Sequence, residues 1–157
     1  MSAQTQGEVP MNVSVESASP EFLENIFAGG HKLQADEPLS AGGQDLAPSP
    51  YELLLAALGA CKAITVRMYA KRKGWPLQGV QLKLSHGKVH ATDCADCERA
   101  GSMIDQIDVE LNLLGELSTE QRQTLLAISE KCPVHRTLTS KVQIRTRADP
   151  IAMGRRR

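Results

Sequence analysis

One segment dominates what this chain can fold into: PYELLLAALGACKAITVRMYAKRKGWP, from Pro50 to Pro76. Ser49 offers an N-cap and Pro50 suits the first helical position, while Gly74 with Pro76 beyond it supplies a stop. The reading is one helix from Pro50 to about Lys73. Its first four turns are apolar almost all round, which requires burial on most sides. Ala56, Ala57, Gly59, Ala60 and Ala63 leave room for another backbone to come close. Lys62 and Arg67 interrupt the Leu53–Tyr69 run, so it reads as a core helix and not a membrane span. A chain of 157 residues buries only about two-thirds of the surface its unfolded form exposes. A partner subunit in a two-fold dimer is the simplest way to wall in such a helix.

Around this helix, four stretches alternate as half-buried strands do. Met11, Val13 and Val15 alternate with Asn12, Ser14 and Glu16; Val80, Leu82 and Leu84 with Gln81, Lys83 and Ser85. Ile107, Val109, Leu111 and Leu113 alternate with Asp108, Glu110 and Asn112; Val142 and Ile144 with Lys141, Gln143 and Arg145. Ala28-Gly29-Gly30 predicts the turn of a further hairpin within EFLENIFAGGHKLQAD. A second helix is expected from Thr119 to about Lys131, opened by the capping box Ser118…Gln121 and closed before Pro133. A short helical piece around His135–Thr139 precedes the last strand. This order describes an α+β fold with antiparallel sheets. With no internal repeat, residues 1–157 read as a single domain, 1–10 and about 149–157 being loose tails.

Composition narrows the function. Lys+Arg and Asp+Glu both number 18 and aromatics are 3%. There is thus no global field to recruit nucleic acid or an acidic membrane, and there are few platforms for stacked bases. The closing GRRR reads as a frayed tail. The polar start MSAQTQGEVPMNVSVES has no apolar signal core, so a cytoplasmic, reducing setting is expected. There, four cysteines point to catalysis or metal binding before structural disulfides.

Cys61 lies in the apolar helix, and Cys132 lies at the end of the second helix in EKCPVHRTL. Two such thiols can be unconnected core filler. Alternatively they form a redox pair: a deep Cys61 thiolate attacks a peroxide, becomes a sulfenic acid, and condenses with Cys132. Burial raises a thiol pKa, so that chemistry needs a cation or strong donor beside Cys61. Arg67, His31 and Arg136 are the candidates.

The stretches SPYELLLAALGACKAITVRMYAKRKGWPL and EKCPVHRTL resemble the two cysteine motifs of the OsmC/Ohr family of peroxide-reducing proteins, over roughly Val9 to Arg147. The resemblance implies an intertwined homodimer with sheets wrapped around long central helices. It implies active sites at the subunit interface, Cys61 as peroxidatic cysteine and Cys132 as resolving cysteine. The Ohr branch carries a catalytic Glu ten residues before its reactive Cys. That position is Tyr51 here, with Glu52 one residue later and about 100° around the helix. Where the same branch has a thiolate-holding Arg, this chain has His31, a weaker partner when neutral. The combination of PYELLLAALGAC, DC-x-x-C and CPVHRTL looks closer to the OsmC-like branch.

Cys94-x-x-Cys97, with His86 and His90 upstream, has ligand types zinc accepts. It lacks a second ligand pair at the usual spacing, and its acidic neighbours fit a solvated loop, so no metal or other cofactor is expected. Tyr51 and Arg136 read as walls of a substrate pocket, Arg136 equally as a helix-end cation. The expected activity is a cytoplasmic thiol peroxidase for oxidative or osmotic stress defence. It would take an organic hydroperoxide, be reduced by a dithiol partner, and bind neither nucleic acid nor membrane. The alternative is a non-enzymatic dimer that binds a small ligand or metal.

Overall fold

The structure is a computed structural model that describes residues 11–18, 21–90 and 103–148. The expected tails and the Cys94-x-x-Cys97 motif lie outside the described residues. Strands β1 (Val13–Ser17), β2 (Glu24–Ala28) and β3 (His31–Ala35) come first. Helix α1 (Pro50–Lys73) follows, then β4 (Gly79–His90) and β5 (Met103–Leu114). Helices α2 (Thr119–Ser129) and α3 (Pro133–Leu138) close the series. The chain gathers into two compact units. The first takes the described residues up to Ala57 and those within Leu84–Val109; the second takes Leu58–Lys83 and the described residues from Glu110 on.

In the first unit, β1, β2 and β3 form an antiparallel meander. Ala28 pairs with His31 around Gly29-Gly30, and Gly29 adopts the left-handed φ of 60° that the two-residue turn needs. The register aligns Val15 with Ile26 and Ile26 with Leu33, so one face of the sheet is apolar. That face is largely bare: Val13, Val15 and Leu33 are all exposed. After β3 the chain turns on Asp36, whose buried carboxylate accepts the backbone N–H groups of Glu37, Gln44 and Leu46 at 2.8, 3.2 and 3.1 Å. These bonds, led by that from Leu46, hold the Asp36 pKa below its ordinary value.

Helix α1 has the expected bounds. In the second unit its buried residues are Leu58, Gly59, Lys62, Val66 and Ala70, with 58, 62, 66 and 70 on one i, i+4 stripe. Val66 and Ala70 meet Leu113 from β5, Leu117, and Leu125 from α2 in the core. The expectation of burial on most sides is not met within one chain, because Ile64 and Met68 stay exposed. Among the described residues, the core of the second unit covers chiefly this stripe. By length and composition alone α1 could cross a bilayer, yet the neighbours of its buried stripe are protein side chains. It ends in a Schellman arrangement: Gly74 has φ 65°, and the Trp75 N–H reaches the Ala70 carbonyl at 3.0 Å.

β4 and β5 pair as a two-stranded sheet and run beyond the alternating stretches that announced them. Gly115, at φ 126°, lets β5 turn away; a Cβ there would collide with the Pro76 carbonyl. Arg122 of α2 donates to the carbonyls of Leu113 and Gly115 at 2.7 and 2.8 Å, tying the helix to the strand end. The Ser118–Gln121 capping box is present in both directions. The expected strand around Val142 and Ile144 is absent. Residues 141–148 carry no regular structure, and Ile144 is 86% exposed. Alternation alone cannot make a strand where no neighbouring strand supplies hydrogen bonds.

Candidate active site

The second unit brings Cys61 and Cys132 together. Cys61 faces from α1 one helical step before the buried stripe, and its backbone carbonyl accepts from Thr65 Oγ1 at 2.8 Å. Cys132 is the N-cap of α3 and not part of α2, which stops at Ser129. Its extended backbone (φ −64°, ψ 142°) lets Sγ accept the His135 N–H at 3.3 Å, with Pro133 at the first helical position. The Cys61 thiol lies close enough to Cys132 to push its pKa up, and both thiols are free. The depth order expected for them is reversed. Cys132 is 0% exposed, while Cys61 is only half-buried. Cys132 sinks because the α2–α3 turn folds back onto the core, whereas Cys61 lies beside the buried stripe and not in it.

Burial pushes the Cys132 thiol up. The His135 N–H pulls it down, and the neighbouring Cys61 thiol pushes it up again. Lys62 pulls it down. Lys62 is a cation beside Cys132, not the one sought for Cys61, and sequence reasoning missed it because it was read only as an interruption of an apolar run. Its side chain is buried, and Nζ donates to the Ser129 carbonyl at 3.3 Å and to Glu130 Oε1 at 2.8 Å. Glu130 Oε2 lies 3.3 Å from His135 Nε2, so one carboxylate serves two bases. The Lys62 hydrogen bond holds the Glu130 carboxyl below the usual glutamate range. The only advance signal was a lysine at i+4 spacing from Leu58 and Val66.

The other candidates stand elsewhere. Arg67 and Arg136 are exposed. His31 opens β3 in the first unit, also exposed. Glu52, again in the first unit, is occupied as a cap: it accepts the Ser49 N–H at 2.7 Å and the Ser49 hydroxyl at 2.8 Å. Ser49 Oγ in turn takes the Glu52 N–H at 3.3 Å, which completes a second capping box. The Ser49 N–H is the main reason that the Glu52 carboxyl is held below its ordinary value. Tyr51 stacks on His86 at a centroid distance of 4.6 Å, and His86 Nε2 lies 2.9 Å from Asp105 Oδ1. Among the described residues no cluster of three metal-ligating side chains occurs. A groove of about 850 Å³ runs along the second unit, lined by Thr65, Met68, Tyr69, Ile128, Lys131 and Pro133 among others. Thr65 is one turn beyond Cys61 and Pro133 adjoins Cys132.

Residues 42–147 match the family model described as OsmC-like protein. Among solved structures, the chain is similar to an organic hydroperoxide resistance protein of Legionella pneumophila. Identity is 18% and the TM-score 0.62, with 85% of this chain and 92% of that one covered. It is similar to an OsmC-like protein of Mycoplasma pneumoniae at 14% identity and TM-score 0.65, over 84% and 89%. It is similar also to the organic hydroperoxide resistance protein OhrB of Bacillus subtilis, at 17% identity and TM-score 0.56, over 83% and 91%. At such identities the structural likeness is one of fold. No curated protein matches the chain. The family match spans well over half of the sequence, the two cysteine motifs included, and the chain belongs to the OsmC-like protein family.

Proposed function

We propose that the protein is a cytoplasmic, homodimeric, thiol-dependent reductase of organic hydroperoxides, serving oxidative or osmotic stress defence. The observation that carries this reading is the neighbouring pair of free thiols, Cys61 and Cys132, with unequal access to solvent. Cys61, half-buried, can be approached by a peroxide; Cys132, wholly enclosed, cannot. The Cys61 thiolate attacks the terminal peroxide oxygen. The O–O bond breaks, an alcohol leaves after taking a proton, and Cys61 becomes a sulfenic acid. While Cys61 is charged, burial first and that charge second favour the protonated form of Cys132. Cys132 then displaces hydroxide from the sulfenic sulfur and closes the disulfide. A dithiol partner reopens it by exchange.

An organic substrate is favoured by the apolar groove and by the relatives named for resistance to organic hydroperoxides. The family resemblance alone, and no contact described above, offers Tyr51 and Arg136 as substrate-pocket residues and Glu52 and His31 in place of the Glu and Arg of the Ohr branch. The exposed apolar side of α1 supports a second subunit as its cover. The test is a thiol count before and after one equivalent of cumene hydroperoxide, with mapping of the paired cysteines. Rapid loss of two thiols and a Cys61–Cys132 bond are expected. Cys61→Ser should consume no peroxide, and Cys132→Ser should react once and trap with dimedone. Retention of all thiols would favour a non-enzymatic dimer binding a small ligand or metal. Full turnover by Cys61→Ser would refute the division of labour.

A further inference from the structure

Lys62 sits where a hydrocarbon would pack best, on the stripe of Leu58, Val66 and Ala70. Burying an ammonium is costly, and an ion pair with a partner as exposed as Glu130 (56%) offsets little of that cost. Stability alone therefore gives no reason for this lysine. We propose that Lys62 is a positioning residue for the resolving step, a counter-charge held ready for the Cys132 thiolate that closes the disulfide. The inference rests on the two-thiol reading above and adds a residue and an order of events to it.

Three features support the assignment. The ammonium is tethered to the very turn that carries Cys132, through the Ser129 carbonyl and the Glu130 carboxylate. An ammonium has three donors, and among the described residues only these two acceptors engage it. Glu130 also faces His135, so its negative charge is shared and does not belong to Lys62 alone. Among the described residues, the groups that act on the Cys132 thiol are Cys61 and Lys62 from α1 and the His135 N–H from α3, while Glu130 on the turn meets Lys62 and the His135 ring.

This set works as a sequence. With Cys61 as thiolate, burial and the Cys61 charge both favour the protonated Cys132 thiol, against the pull of the His135 N–H and of Lys62. Conversion of Cys61 to a neutral sulfenic acid removes the opposing charge and leaves the Lys62 cation in place. Cys132 then loses its proton, and its sulfur attacks the Cys61 sulfur. The S–S bond forms as the S–O bond breaks; Cys132 is oxidised and the sulfenic sulfur reduced. The departing hydroxide and the Cys132 proton make one water.

The experiment uses the full chain with Cys94→Ser and Cys97→Ser, so that only Cys61 and Cys132 report. Sulfenic acid formation and disulfide closure are timed separately after one equivalent of cumene hydroperoxide, across a pH series. Lys62→Met should keep the fold, form the sulfenic acid at close to the parental rate, and close the disulfide about tenfold more slowly near neutral pH. That factor corresponds to about one unit of thiol pKa. Closure should recover as pH rises, and Lys62→Arg should restore part of it at neutral pH. Glu130→Gln, which removes the balancing carboxylate, should move the closure profile to lower pH. A merely structural lysine would give none of these pH shifts. Closure profiles that coincide in Lys62→Met and the parent, or a slowing independent of pH, would overturn the inference while leaving the two-thiol reading intact. Absence of a Cys61 sulfenic acid in the parent would overturn both.

Discussion

The β1–β3 sheet and the thiol-bearing unit apply the same alternating code to opposite ends. In β5 the alternation becomes burial, and Leu113 is enclosed with Val66 and Leu125. In β1 the same alternation builds a strand with every residue exposed. Backbone pairing needs only a neighbouring strand, whereas burial needs a second layer. β5 finds that layer in α1 and α2 of its own chain. The apolar face of β1–β3 keeps Val13, Val15 and Leu33 open. Periodicity fixes which way side chains point; what they meet is decided by residues far away or on another molecule.

Substitutions that tell a self-contained core from a face awaiting a cover can sharpen this contrast. The largest effect belongs to Leu125, which is 0% exposed at the centre of the second unit. Leu125→Ala should cost about 3 kcal/mol of unfolding free energy, measured by urea titration, whatever the protein concentration. A loss under about 1 kcal/mol would mean the core is not where the contacts place it. Leu33→Ser tests the opposite region. In a single chain a residue 48% exposed should matter little. If a second subunit covers the face, the loss rises to about 1–2 kcal/mol and depends on concentration. Sedimentation velocity beside the urea curves separates the two outcomes, and a concentration-independent curve with unchanged sedimentation argues against a cover on this face.

The smallest effect is expected at Glu52. Its folded pKa lies below the ordinary glutamate value because of the Ser49 cap. Its contribution is therefore complete above that ordinary value and fades as pH falls through the lowered one. Glu52→Gln should flatten this acid limb and leave neutral-pH stability nearly unchanged, since Gln121 serves the equivalent position of α2. The same variant examines chemistry. A sulfenic acid rate within a factor of about three of the parent limits Glu52 to capping, whereas a fall of about a hundredfold gives its carboxylate a part in catalysis.

Much of this was legible from the residues. Pro50, Ser49, Gly74 and Pro76 bound α1 because caps act within one turn and depend on local chemistry. The α2 capping box was legible for the same reason. The capping part of Glu52 was missed by the opposite route. Its distance from Cys61 drew attention, while its three-residue spacing from Ser49, the same box as in α2, went unread. The strand at Val142 failed because pairing is a long-range property that alternation does not encode. Lys62 stayed hidden because its meaning depends on Glu130, 68 residues away. A sequence shows that a charge interrupts an apolar run but not which carboxylate comes to meet it.

The sulfur cap on α3 has a practical consequence. Helix caps are ordinarily oxygen, inert to oxidants; here one amide proton, that of His135, rests on an atom whose oxidation state changes during the proposed cycle. Each turnover would then rewrite the first turn of a six-residue helix. The exchange rate of that single proton with solvent deuterium would serve as a built-in gauge of oxidation state, readable without any label on the thiols.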